Sequence, residues 1–387
     1  MDKKQLLFDL YISYLQARKH KRHTHSQMAF EENLEDNLVQ LRNDIFNWKY
    51  QISPSIYFIQ RDPVQREVFA WNFRDRIVHH LIYNYISPYR EKQFIYDSYS
   101  CRKGKWTLFW IKRISKFMRS CSQCYTQQWR ILKLDIQWYF MAINRDILRK
   151  KVKTPLINWK KVSTIWNSEL FPNWRFLIQW IFPEYLINII HDIIYNDPTS
   201  NGIFKWKTSD YDWLPKTKSL FFSEQNCGLP IWNLTSQLFS NIYLNNFDHY
   251  VKENLNIKYY GRYVDDFVLI HPNKEYLKSL IKPINKYLNY TLNLKLHPNK
   301  IYLQPISHWI QFLWAIIKPY RLYRWKRTIK NFYNKLKETK YKPPRSSLDS
   351  YIWLMIHYKH YKFVKKILSK VKFEEMDEIS HYKNYLE

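Results

Sequence analysis

Residues 3–19 and 28–47 read as helices, joined by a basic linker, Arg18-Lys19-His20-Lys21-Arg22-His23. A strand-like run starts at Phe58 and turns, by Ala70, into a helix carrying Phe73-Arg74-Asp75-Arg76-Ile77-Val78-His79-His80-Leu81. The short basic loop Ser98–Lys105 precedes another helix, to about residue 120. Trp129–Asp135 is an apolar strand that ends in an acid, and a polar helix start follows at Asn144. Residues 150–220 read as a long, aromatic, mostly helical insertion. Gly228-Leu229-Pro230 is a turn leading into a helix from Leu238 to about Val251, with Asn233 or Thr235 as its cap. Aromatic and β-branched residues then flank Tyr263-Val264-Asp265-Asp266 on both sides, the composition of paired strands. A helix over 274–289, two short strands around Lys300, a strand over 309–318 and a basic helical tail from Arg324 complete a mixed α+β pattern.

The double acid is the anomaly in that pattern. Neighbours in a regular strand point to opposite faces, so one of Asp265 and Asp266 would be driven into the core. A buried unpaired carboxylate is costly and tends to protonate. A tight hairpin turn is one escape, since Asp is common there. A turn that presents both acids to a divalent metal is the other, and it also explains why apolar strands run right up to them. Asp135 repeats the theme at the end of its own strand, a favoured catalytic place in mixed sheets and also an ordinary capping place. His79 and His80 face different ways on one helix and cannot readily share an ion, so they read as packing histidines.

Composition narrows the partner. The 387 residues carry a formal charge of +29 and 19 % aromatics, which points to a polyanion such as nucleic acid and argues against disorder. The lysines of the tail, Lys326, Arg327, Lys330, Lys335 and Lys337, fit a surface that tracks phosphates, with plain solubility as the bland alternative. The linker at 18–23 reads as a solvated charge run. No apolar run is long enough to span a bilayer, and Met1-Asp2-Lys3-Lys4-Gln5 leads into a mixed helix and not a signal peptide. Cys121 and Cys124 have zinc-knuckle spacing but lack a matching second pair, so Cys101, Cys121, Cys124 and Cys227 read as reduced thiols of a cytoplasmic protein.

The order of the chemistry-bearing segments carries a family likeness. Asp135-x4-Phe140, then Leu229-Pro230-Ile231-x4-Ser236-Gln237, then Tyr263-Val264-Asp265-Asp266 resembles a reverse transcriptase over about residues 55–320. The form Ile231-x4-Ser236-Gln237, with Phe73–His80 and Ser98–Lys105, is most similar to the diversity-generating retroelement type, which copies a template RNA into error-prone cDNA. Retron and phage-defence enzymes share parts of this pattern. The resemblance implies a right-hand polymerase fold: an N-terminal extension (1–54), fingers (55–128), a palm with an antiparallel sheet (129–318) and a helical thumb (319–387). It implies two magnesium ions, for which manganese can substitute, held by Asp135, Asp265 and the Ile136 carbonyl, with Asp266 more peripheral. It implies that Phe140 lies under the sugar, that Arg102 and Arg66 hold the triphosphate, that Ile231 and Gln237 line the nucleotide site, and that Lys300 sits near the leaving group. Phe312 and Leu313 match the primer grip. Template RNA, a DNA or RNA primer, dNTPs and a small basic accessory protein are the implied partners. A catalytically impaired RNA-binding relative is the alternative of a different class.

Tryptophan stands where that pattern has glycine: Trp106, Trp138, Trp232, Trp314 and, less directly, Trp309. The chain has only 4 glycines and 17 tryptophans, together close to an ordinary glycine content of about 7 %. A single cause would account for some of these positions: a reassigned stop triplet that the host reads as glycine. Real indoles would instead occlude the nucleotide pocket at Trp232 and crowd the turn at Trp138.

Overall fold

The computed structural model describes residues 2–19, 24–60, 65–157, 163–165, 177–179, 183–205, 214–231, 233–313, 315–324, 326–342, 345–356 and 361–371. Trp232, Trp314 and His20–His23 lie outside the described residues, as do the side chains of Lys326 and Arg327. In chain order the helices and strands begin with α1 (Lys3–Arg18), α2 (His25–Glu31) and α3 (Leu34–Phe46). The hairpin β1 (Ile56–Gln60) and β2 (Arg66–Ala70) precedes α4 (Phe73–Gln93) and α5 (Thr107–Cys121). Next come β3 (Arg130–Asp135), the short α6 (Tyr139–Ala142), α7 (Arg145–Ile157), β4 (Ser163–Ile165), β5 (Leu177–Gln179), α8 (Glu184–Tyr195), α9 (Pro198–Asn201) and β6 (Ile203–Phe204). After α10 (Leu234–His249) the hairpin β7 (Tyr259–Tyr263) and β8 (Asp266–His271) leads to α11 (Lys274–Leu292). Then β9 (Tyr302–Pro305), β10 (Ile310–Phe312), β11 (Ala315–Lys318) and β12 (Arg321–Arg324) precede α12 (Lys326–Glu338), α13 (Arg345–Ile356) and α14 (Tyr361–Leu368).

Two compact units result. The first comprises Met1–Trp106, Leu132–Leu269 and Glu275–Tyr302; the second comprises Thr107–Ile131, Ile270–Lys274 and Leu303–Glu387. In the first, β8 lies between β7 and β3, with α4, α10 and α11 supplying buried aliphatic faces. The α11 face is legible from spacing alone: Leu277, Leu280, Ile284, Leu288 and Leu292 recur at three and four residues and are all buried. A separate small sheet has the order β2-β1-β6. In the second unit, Trp110, Ile111, Ile114, Phe117 and Met118 form the buried stripe of α5. The strands β10, β11 and β12 form an antiparallel meander. Phe332, Leu336, Leu348, Ile352, Met355, Val364, Ile367 and Leu368 close a helical core, with Lys330, Lys335 and Lys337 exposed on α12.

Several elements differ from their sequence-based expectations, among them the helix expected over 28–47, which is split into α2 and α3, and the strands β4, β5 and β6 within the stretch read as mostly helical. The run from Phe58 does not turn into a helix by Ala70: β1 folds back on β2 with Ile56 opposite Ala70. Residues 309–318 form two strands, because left-handed Leu313 (φ 50°) reverses the chain. Around Lys300 one strand forms in place of two: β9 comes just after it, and the residues just before it form a turn and one isolated bridge, Ile136 with Leu296.

The backbone bears directly on the tryptophans. Trp138 has φ 48° and Trp48 has φ 63°, both left-handed, and both indoles are about half exposed. Trp48 follows the last turn of α3, where its N–H meets the Ile45 carbonyl and the Lys49 N–H meets the Asp44 carbonyl. That is the helix-end arrangement in which glycine is the usual residue. Trp106 and Trp309 are also exposed, but their backbone is not left-handed. The expected crowding at Trp138 does not occur, since its indole points out and the cost falls on the backbone. Trp48→Gly and Trp138→Gly are therefore each expected to stabilise the fold by roughly 0.5–1 kcal/mol, because relief of left-handed strain exceeds the glycine entropy cost. Thermal melts that show either variant less stable would refute this.

Candidate active site at the paired-aspartate hairpin

Strands β7 and β8 are joined by only two residues, Val264 and Asp265. Val264 has φ 57°, the left-handed backbone that short hairpins need to match strand twist and usually assign to glycine. For a β-branched side chain this is a strained place. The neighbouring strand β3 ends at Asp135, and the next residue, Ile136, donates its N–H to the Asp265 carbonyl at 3.2 Å. That bond places the end of β3 against the hairpin turn, so acids 130 residues apart in sequence share one end of one sheet. The segment after α11 closes the other flank: the His297 N–H reaches the Asp135 carbonyl at 2.8 Å, and Lys300 Nζ reaches Asp135 Oδ2 at 3.0 Å.

Lys133 adds a contact that the sequence reading missed. Its ammonium lies 3.4 Å from Asp266 Oδ1. Period-two alternation in β3 is the signal that finds it, because Lys133 and Asp135 must share a face. Burial, then the charges of Asp266 and Asp135, push Asp265 up to about 7. Burial also raises Asp266, with Lys133 working against it. Burial opposes the Lys300 ammonium, but Asp135 followed by Asp265 and Asp266 outweighs it and raises Lys300.

The sign of the resulting pH dependence follows from linkage. Between the unfolded Asp value, about 3.9, and about 7, the folded state holds a proton at Asp265 that the unfolded chain has released. Metal-free protein is therefore expected to lose stability as pH rises through that window. Melts from pH 4 to 8 check it, and Asp265→Asn should flatten the slope; an unchanged slope in that variant rules the assignment out.

The remaining predicted residues sort into three groups. Phe140 and Ile231 come together, packed with Tyr57 on buried Phe69, Met141 and Leu220. Backbone bonds fix this meeting, from the Leu229 N–H to the Phe140 carbonyl (2.9 Å) and from the Gly228 N–H to the Ile143 carbonyl (2.9 Å). Gly228 needs its φ of 98° there. Buried Glu67, unmarked by any sequence motif, braces the same floor by accepting from Ser219 Oγ and the Leu220 N–H. Gln237 is half-buried in the first turn of α10, and Arg66 is exposed at the start of β2. Ile136 is buried, and Phe312 and Leu313 lie in the second unit, where Phe312 packs edge-on against Trp110.

Arg102 departs from its expected role. Its guanidinium is 5 % exposed and already bonds Glu91 Oε2 (2.8 Å) and the carbonyls of Ile95 (2.7 Å) and Ser98 (2.8 Å). The fork that the resemblance assigns to a triphosphate here ties the basic loop to α4. The histidines behave as expected: His79 is buried, its Nδ1 lies 2.6 Å from Thr235 Oγ1, and burial lowers its pKa to about 3. All four cysteines are free thiols.

Among the described residues, no three His, Cys, Asp or Glu side chains are gathered closely enough to hold one ion. Lysine partners Asp135 and Asp266 instead. No described helix is long and apolar enough to cross a membrane.

No protein-family model and no curated protein matches the chain. Among solved structures it is similar to apo telomerase from Candida tropicalis truncated from the C-terminal domain, at 14 % identity and TM-score 0.44, over 73 % of this chain and 58 % of that one. It is also similar to telomerase from Candida albicans in complex with a TWJ fragment of telomeric RNA, at 13 % identity and TM-score 0.46, over 72 % and 47 %. A structure of apo telomerase from Candida tropicalis matches at 13 % identity and TM-score 0.45, over 71 % and 48 %. The chain thus spans about half the length of the solved structures it matches.

Proposed function

We propose that this chain is an RNA-directed DNA polymerase, of the diversity-generating retroelement type. The observation that carries the reading is the bond from the Ile136 N–H to the Asp265 carbonyl, which sets Asp135 beside the paired acids. Burial, followed by the charges of Asp266 and Asp135, pushes Asp265 up to about 7, and a divalent cation would relieve that penalty. Asp135, Asp265 and the Ile136 carbonyl would hold magnesium, with Asp266, 3.4 Å from Lys133, in the more peripheral place that the resemblance implies. When bound, the ions supply charge neutralisation at the transferred phosphoryl group.

The chain's own residues do the rest. Phe140 and Ile231 offer an apolar floor against which a sugar and base can lie. Phe140 would exclude a 2′-hydroxyl and so select dNTPs. Lys300, half-exposed beside Asp135, offers an ammonium to the departing pyrophosphate. With Arg102 committed internally, exposed Arg66 is left as the triphosphate cation from β2. The net charge of +29 suits an RNA template and primer, and the resemblance adds a small basic accessory protein. A non-catalytic RNA-binding role is the second reading, favoured by the lysine partners of two of the three acids. Extension of a DNA primer on a homopolymer RNA template, with dNTP and magnesium, tests the two. Product is expected; RNA binding without any product would leave only the second.

A further inference from the structure

Arg262 is wholly buried, and so is its partner Asp248. The pair is bidentate: Nε meets Oδ1 at 2.7 Å and Nη2 meets Oδ2 at 2.6 Å. The rest of the guanidinium is also used. Nη2 reaches Ser98 Oγ at 3.2 Å, and Nη1 reaches Asn241 Oδ1 at 3.4 Å and the Val264 carbonyl at 2.9 Å. The Arg262 backbone is pinned as well, its N–H on the Asp97 carbonyl (2.9 Å) and its carbonyl on the Tyr99 N–H (3.1 Å). Asp248 takes a further bond from the Tyr260 hydroxyl at 2.6 Å.

One bond of this set leaves the core for the turn. Val264 has the left-handed backbone that a β-branched residue resists. Turning over the 264–265 peptide would leave φ264 positive but swing φ265, and with it the direction of the Asp265 side chain. It would also strip a charge-assisted bond from a buried guanidinium and leave the carbonyl unpaired. The geometry points to Arg262, braced by Asp248, as the positioning residue that holds the turn in this strained form and so aims Asp265. The aiming role rests on the reading of this hairpin as the catalytic centre; the clamp itself does not. The Asp265 carbonyl, bonded to the Ile136 N–H, gives the turn its second anchor.

Arg262→Lys is the probing variant, because one ammonium keeps the charge beside Asp248 but cannot serve the carboxylate and the Val264 carbonyl together. Val264→Gly supplies the complement, since glycine adopts the turn without strain. Hydrogen exchange of the 259–270 segment is expected to quicken at least tenfold in Arg262→Lys while α11 is unchanged. Adding Val264→Gly should recover most of that protection. In primer extension, kcat should fall at least tenfold with the dNTP KM within twofold, and the double variant should regain most of it. Unchanged exchange, an equal acceleration across the whole first unit, or a double variant worse than Arg262→Lys overturns the clamp. Should Arg262→Lys not fold, Ser98→Ala, which removes one guanidinium acceptor, carries the same exchange test with about a threefold effect expected and no change overturning it. A wild-type chain without polymerase activity sinks the catalytic reading alone, because the exchange measurement needs no substrate.

Discussion

Asp265→Asn is expected to lower DNA synthesis by about a thousandfold or more, which at tenfold per ~1.4 kcal/mol is a loss of ~4 kcal/mol in transition-state stabilisation. The amide is close to isosteric, so the turn and its bond to the Ile136 N–H can persist. What disappears is the charge that a divalent ion needs. Fold stability should not suffer, because the ionised carboxylate is the form that burial and the neighbouring acids disfavour. RNA affinity and its salt dependence should also be unchanged, since both depend on the spread of basic residues. Asp266→Asn provides the internal control: Asp266 has the more peripheral place in the proposed site, so its loss should cost less. Primer extension by both variants, alongside an RNA-binding isotherm, checks this. Asp265→Asn retaining more than about a tenth of wild-type synthesis would remove Asp265 from the chemistry.

The second large effect concerns stability. Asp248→Ala is expected to cost about 3–5 kcal/mol, because it leaves the Arg262 charge unpaired with no exposure to water. That is a large share of the roughly 5–15 kcal/mol by which a folded domain exceeds its unfolded state. In the wild type Asp248 outweighs the burial that opposes the Arg262 charge; without Asp248 that burial penalty is no longer offset by a carboxylate. Tyr260→Phe removes only one bond to the same carboxylate and should cost about 1.5–3 kcal/mol. Denaturant melts of the two variants should therefore differ clearly, and equal losses would mean that the charge pairing is not what the core depends on.

Much of the local structure was legible. The apolar stripes of α5 and α11, the strand ending at Asp135 and the hairpin at Asp265 and Asp266 follow from period and composition, since backbone conformation and face burial are local properties. Side-chain partners were less legible: Phe140 and Ile231 pack on one apolar cluster, and Arg102 spends its fork on Glu91 and two carbonyls. No spacing rule reveals that, because a guanidinium that holds a loop and one that waits for a phosphate have the same sequence.

By itself, then, the sequence determined many of the strand and helix segments, where acids interrupt them, and that the whole is strongly basic. Only the tertiary structure decided that Asp135 meets the hairpin, that Lys133 and Lys300 neutralise two of the three acids, and that Arg262 and Asp248 stand behind the turn. It also decided that Trp48 and Trp138 occupy left-handed backbone. These outcomes depend on which neighbour closes each unsatisfied charge or carbonyl. Burial makes that closure compulsory, but periodicity along the chain does not name the partner.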